Sequence, residues 1–328
     1  MSWLGAAMVT VTLMASCSAS PPDSAAELED SPGSTSTESS TTTSVTTTTT
    51  SAPAPPFELQ SDEVEPELKL TAARLVESLL SYRPSADPLG EASLRIEAAG
   101  FDPSLVPSAA PLLVADSASD VTVVYPQFGG LEPNDAAIMV VAEQRIRPKG
   151  CCAGTTTRTL DIRLSRKGAG WDVTGIDSVG GQRPVDTSTE NSDLAQQVLA
   201  TSALVLPDSA RWDVEAGLIA DEVLRLLLDL VAAGHSLEVT SFVSGHPVNV
   251  FGRPFVSNHS LGRAVDIWAV DGARVSGSTP DGGAHRAVER ALALGATEVG
   301  SPWDLDGPGG PSFTNTLHAD HLHLAFDP

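Results

Sequence analysis

Apolar residues recur at helical spacing from Val64 to Tyr82, at Leu68, Leu70, Ala73, Leu75, Leu79 and Leu80. The spacing predicts an amphipathic helix that Pro84 stops. Leu94 to Ala99 predicts a second, short helix. The pattern then changes to long strand-like runs, at Val121 to Tyr125, Ala136 to Ile146, Thr155 to Leu164 and Trp171 to Ile176. Lys167-Gly168-Ala169-Gly170 predicts the hairpin turn between the last two. Helical spacing returns at Leu194 to Leu204 and again at Val214 to Ala233. There Leu218, Val223, Leu226, Leu227 and Leu230 form an apolar stripe, and Gly234 ends the helix. Strands are expected at Leu237 to Val243, Arg263 to Val270 and Leu322 to Phe326, with a helix at Ala284 to Leu294.

Helices followed by a strand meander, then helices and strands again, predict an α+β class with two domains. A chain of 328 residues suits that division, at roughly 100–200 residues per domain. The polar, turn-rich stretch Gly180 to Ser192 marks the boundary, giving an α+β domain at 57–186 and a second domain at 187–328. At pattern level the first resembles cystatin-like or nuclear-transport-factor-like folds, and it offers no chemistry of its own. The adjacent Cys151 and Cys152 lie in one of its loops, either as a vicinal disulfide or as two thiols.

Before these domains the chain is of another kind. Trp3 to Ala15 is apolar and of signal-peptide length, too short for a stable span. It ends in Leu13-Met14-Ala15-Ser16-Cys17, which resembles the lipobox of bacterial lipoproteins, with Met14 where a branched aliphatic residue is usual. The resemblance implies export and lipidation at Cys17, hence an extracytoplasmic protein held at the outer face of the cytoplasmic membrane. An ordinary secretory signal, 1–17, is the alternative. Residues 18–56 are rich in Ser, Thr and Pro and cannot bury apolar surface, so they read as a disordered tether. The formal charge of −23 argues against nucleic acid as a partner and limits membrane association to the lipid.

All seven histidines lie from His235 onward. Two clusters stand out. In Ser257-Asn258-His259-Ser260-Leu261-Gly262-Arg263-Ala264-Val265-Asp266, His259 sits in a loop that Gly262 lets turn tightly. Asp266 then alternates with Val265 and Ile267 on a strand. A carboxylate on a strand so apolar needs a partner, and a cation is the obvious one. In His318-Ala319-Asp320-His321-Leu322-His323-Leu324, an extended backbone points His321 and His323 the same way. Three nitrogen and oxygen ligands with an open fourth position are the usual catalytic zinc arrangement.

Ser-x-His-x-x-Gly-x-Ala-x-Asp followed much later by His-x-His resembles the zinc D-alanyl-D-alanine peptidases. That superfamily includes lysostaphin-type endopeptidases, the penicillin-insensitive murein endopeptidase and the Hedgehog signalling domain. The resemblance covers residues 235–328 and matches Ser257, His259, Gly262, Ala264 and Asp266. His318, His321 and His323 look like the murein endopeptidase branch. It implies a small antiparallel sheet with flanking helices. It also implies zinc bound by His259, Asp266 and His323, and a peptidase acting on peptidoglycan stem peptides or cross-links. Asp320, three residues before the last ligand, matches the family's acidic base, with His321 as stabiliser; His321 is the other candidate base. The family's arginine or glutamine upstream of the first ligand is missing from its expected place. Ser244-Gly245-His246 stands in its place, leaving His246, Arg253 and Ser257 as candidates to contact substrate.

Two other readings fit these motifs: a zinc-containing wall-binding module without turnover, and a metallohydrolase acting on a peptide outside the wall. Bland roles are expected for His235 at the surface, for His285, for a simple turn at Asp304 to Gly307, and for packed Trp268 and Trp303. For the N-terminus, expression in a lipoprotein-processing bacterium is expected to send the chain to the membrane fraction. Cys17→Ala is expected to release it, as fractionation and labelled-fatty-acid incorporation would show.

Overall fold

The computed structural model describes residues 55–185 and 192–328. The signal segment with Cys17, most of the tether and the expected boundary at 186 lie outside them. The class is α+β, with two sheets and two hydrophobic cores. None of the described helices is long and apolar enough to cross a membrane.

The first half opens with α1 (Pro66–Leu80) and α2 (Pro88–Ala98). Asp87 starts α2 by accepting a hydrogen bond from the Gly90 backbone, with Pro88 in the first turn. The helix thus begins before the expected start at Leu94. A 3-10 helix, Pro103–Leu112, follows. Four strands then run as an antiparallel meander: β1 (Ser117–Leu131), β2 (Asp135–Pro148), β3 (Gly154–Lys167) and β4 (Gly170–Ser178). The hairpin at 168–169 forms as expected, and Cys151 and Cys152 are exposed in the β2–β3 connection.

β2 shows how the halves meet. From Ala136 to Ala142 every residue is buried, the mark of a strand covered on both faces. Ala136, Ile138, Val140 and Ala142 join the first core under the helices. Ala137, Met139 and Val141 point the other way, and Met139 Sδ accepts a hydrogen bond from Ser241 of the second half.

The second half contains α3 (Asp193–Ala200), β5 (Leu204–Val205), α4 (Asp208–Glu215), α5 (Asp221–Ala232), β6 (Leu237–Ser241), β7 (Ala264–Val270) and β8 (Ala273–Arg274). Then come α6 (Gly283–Ala293), β9 (Glu298–Gly300), β10 (Ser312–Phe313) and β11 (Leu322–Ala325). The order is β10-β9-β11-β7-β6-β5, with β8 paired to β7. The sheet is mixed, a correction to the antiparallel expectation. Its centre is antiparallel, but β5–β6 and β9–β10 are parallel. Val265, Ile267, Leu322 and Leu324 enter the second core with α5 and α6. Asp266 and His323 fall on the opposite face, directly opposed in register.

The single helix expected over Val214 to Ala233 is broken. Gly217 takes the left-handed conformation, φ 68°, and ends α4. Ala220 N donates to Gly262 O as the chain re-enters at α5, which leaves Leu218 half exposed rather than in the stripe. His235 is another correction. It is buried, its Nδ1 3.1 Å from Asp271 Oδ2. Trp268 stacks on Tyr125, and His285 meets Trp303 edge-on, so these residues pack. Asp304 accepts from Gly307 N within its own turn, and Asp306 accepts from Ser312 N at the start of β10.

The break also fixes the loop that carries His259. Gly262 has φ 68°, and a Cβ there would stand 1.9 Å from the Leu218 carbonyl oxygen. Gly262→Ala is expected to cost about 1–3 kcal/mol for the backbone conformation alone. The clash should add to that, and urea unfolding measures the sum.

Candidate metal centre

Three side chains converge where the second sheet faces the first half. His259 projects from the turn before β7, Asp266 from the middle of β7 and His323 from β11. His259 Nε2, Asp266 Oδ1 and His323 Nδ1 are each 3.1 Å from the other two. Ligands about 2.0–2.1 Å from a tetrahedral zinc lie roughly 3.3 Å apart, so the three atoms form one face of such a site. Register brings Asp266 and His323 together as a cross-strand pair. The turn delivers His259, with Ser257 Oγ accepting from the His259 backbone N–H at 3.2 Å.

The hydrogen bonds aim the ligand atoms. His259 Nδ1 is 2.6 Å from Phe242 O. A carbonyl only accepts, so Nδ1 carries the proton and Nε2 keeps its lone pair. His323 turns Nε2 toward Glu298 Oε2, 3.7 Å away, and leaves Nδ1 to the cluster. Asp266 Oδ2 accepts from Gln127 Nε2 at 2.9 Å, so Oδ1 faces the histidines. Burial alone would raise the Asp266 pKa, but the flanking His259 and His321 hold it well below the ordinary carboxylate range.

His246 stands beside the cluster. Its ring stacks on His259 with centroids 3.7 Å apart, its Nδ1 donates to Pro247 O, and its Nε2 is 4.0 Å from Asp266 Oδ2. Burial keeps this imidazole neutral. His246, His259 and Asp266 can each place a ligand atom within 4.8 Å of the others. The set with His323 is tighter, with 3.1 Å on every edge.

Asp320 and His321 lie just before β11, where a 3-10 turn, Leu317–Ala319, replaces the extended backbone expected there. Asp320 Oδ1 accepts from His321 Nδ1 at 2.7 Å. Asp320 Oδ2 is held by Lys69 Nζ at 2.8 Å and by Phe128 N at 3.1 Å. Burial would raise the Asp320 pKa, but Lys69 and His321 bring it below its usual value. His321 Nε2 points back toward the ligands, 3.9 Å from Asp266 Oδ1. His318 donates from Nδ1 to Asn315 and lies over Gly300, where a Cβ would meet its ring at 2.4 Å. Burial keeps it neutral as well.

The cluster opens into a groove of about 1180 Å³ lined by both halves. Phe128 and Trp171 come from the first sheet, Val250 and Phe255 from the loop after β6, and Phe313 and Leu317 from the segment before β11. Arg253 lines it too, as does Arg166, whose guanidinium lies over Trp171. Several loop residues expose apolar surface, among them Val248, Phe255 and Val256.

Sequence reasoning missed Lys69, Gln127 and Glu298. Lys69 carried a signal. It falls among Leu68, Ala72, Ala73 and Val76 on the buried side of α1, where a lone ammonium needs anions. Gln127 and Glu298 had none, since neither stands in a motif. A scan against protein-family models and searches of the curated proteins and the solved structures find nothing that matches this chain. What the site does is therefore read from its own chemistry.

That chemistry gives metal binding a pH dependence. Burial works against a charged His323, yet its hydrogen bond to Asp266 and the Glu298 carboxylate 3.7 Å away outweigh burial and raise it to about 9. The metal-free protein therefore holds a proton on His323 at pH 7, and a bound ion must displace it. Zinc binding at pH 7 is expected to release about one proton. Its affinity is expected to rise about tenfold per pH unit up to about pH 9 and then level off. Competition titration against a chromophoric chelator between pH 6 and pH 10 reads this directly, and an affinity flat with pH contradicts it.

Proposed function

We propose that this chain is an exported zinc peptidase, anchored through Cys17, that hydrolyses amide bonds in peptidoglycan peptides. The observation that carries the reading is the 3.1 Å triangle of His259 Nε2, Asp266 Oδ1 and His323 Nδ1 at the wall of an open groove. The motif resemblance supplies the substrate class. His259, Asp266 and His323 would hold the zinc. Bound there, zinc supplies Lewis-acid polarisation of an amide carbonyl and acidifies water.

The protein's own groups do the rest. Asp320 is engaged on both oxygens, by Lys69, Phe128 N and His321, which suits an orienting role rather than that of base. With Nδ1–H hydrogen-bonded to Asp320, His321 would present Nε2 to the cluster and take a proton from the attacking water. It then returns that proton to the leaving amine. This takes His321, the second of the two base candidates in the sequence, over Asp320, on the logic of a histidine base held in one tautomer by a buried carboxylate. The groove's apolar walls would take an extended peptide, and Arg253 and Arg166 are the cations lining it that could meet a substrate carboxylate.

One observation favours a second reading. His246 keeps its Nε2 lone pair near Asp266. As a fourth ligand it would close the site, as in structural zinc centres, leaving a binding module without turnover. The variants separate the two. Under the leading reading His259→Ala loses zinc, while His246→Ala and His321→Ala keep it. His321→Ala is expected to lower cleavage by about 10²–10⁴-fold. Metal analysis and mass spectrometry of wall fragments check each claim. Stoichiometric zinc with no new peptide fragments from the wild type overturns the peptidase reading. Zinc loss in His246→Ala supports the closed site.

A further inference from the structure

The first half of the chain reaches into the metal centre through residues that no motif marks. Gln127, on β1, is fully buried and bridges two strands of the other sheet. Its Nε2 donates to Asp266 Oδ2 on β7 at 2.9 Å, and its Oε1 accepts from Thr240 Oγ1 on β6. The next residue, Phe128, donates its backbone N–H to Asp320, and Lys69 of α1 holds the same carboxylate oxygen.

We propose that Gln127 is a positioning residue for the metal ligand Asp266, and that the first half thereby completes the metal centre. A carboxylate with both oxygens free can turn about its Cβ–Cγ bond or offer both to a cation. A donor fixed on Oδ2 leaves Oδ1 alone toward His259 and His323. The donor is also neutral. A lysine or arginine in its place would compete with the metal for the charge of Asp266, whereas an amide leaves that charge to the ion. The carboxylate only accepts, so it fixes which end of Gln127 is nitrogen, and the Thr240 hydroxyl then donates to the oxygen at the other end. Groups of this kind behind a ligand typically set metal affinity by about 10–100-fold.

The inference rests on the metal-binding part of the proposed function and not on hydrolysis. Its test uses the full chain with zinc as the probe, by chelator competition, with thermal melts of the metal-free proteins as the check on folding. Gln127→Leu is expected to remain folded and to bind zinc about 10–100-fold more weakly than the wild type. Thr159→Val is the control. It removes another buried bond between the halves, Thr159 Oγ1 to Thr240 O at 2.6 Å, without touching Asp266. Its zinc affinity is expected to stay within about threefold of the wild type, below the range for a direct ligand partner. Wild-type affinity in folded Gln127→Leu overturns the inference. An equal loss in Thr159→Val also overturns it, by showing general loosening. Should Gln127→Leu not fold, Thr240→Val, which frees the amide from its other anchor, is expected to weaken zinc in the same direction. Unchanged affinity there overturns the inference. A wild type that binds no zinc instead removes the metal reading beneath it.

Discussion

Asp266 sits in the middle of a central strand, almost fully buried, between two sheets. Removing a carboxylate from water costs several kcal/mol, and only close cations or donors offset it. The surrounding architecture supplies them. The turn before β7 brings one imidazole, the register of β11 brings a second, and β1 of the other sheet brings an amide. Three separate elements therefore depend on one charge. A metal ion bound there would satisfy all of them at once, taking the lone pairs that the outer hydrogen bonds leave pointing inward.

The same constraint explains why the halves are joined so closely. A sheet face carrying Asp266 and His323 cannot be left to an apolar neighbour, and β1 and α1 meet it with matching polar groups. Lys69 lies between Glu63 and Asp320, Tyr125 donates to Glu63, and Arg274 of the second half closes the chain of charges on Glu63. Such a network is costly if half satisfied and rigid when complete. Around it the contact is apolar, with Tyr125 stacked on Trp268 and the far face of β2 covered. The first half thus has a definite structural task, as the wall and hydrogen-bonding frame of the centre.

Position within the groove separates the histidines by task. His259, His246 and His321 each have a hydrogen bond that fixes one ring nitrogen and frees the other toward Asp266, and His323 meets Asp266 through Nδ1 while Nε2 faces Glu298. His318 is spent on Asn315, and His235 on Asp271. Clustering of all seven in one part of the chain localised the chemistry, yet the ring nitrogen facing the cluster is what distinguishes a ligand or base from a packed residue.

The sequence by itself determined the α+β class, the four-strand meander and the turn at Gly262. These follow from local rules: side-chain alternation on strands and apolar spacing on helices. The grouping of His259 and Asp266 with His323, 64 and 57 residues away, came from the motif resemblance and not from any local rule. Tertiary structure alone decided the break at Gly217, the opposition of Asp266 and His323, the placing of His246 against His259, and the engagement of Asp320. Gln127 is 139 residues from Asp266, and Phe128 is 192 from Asp320. No periodicity links positions so far apart. Only the docking of the two sheets brings them within hydrogen-bond reach, and the buried carboxylates between those sheets are what make that docking specific.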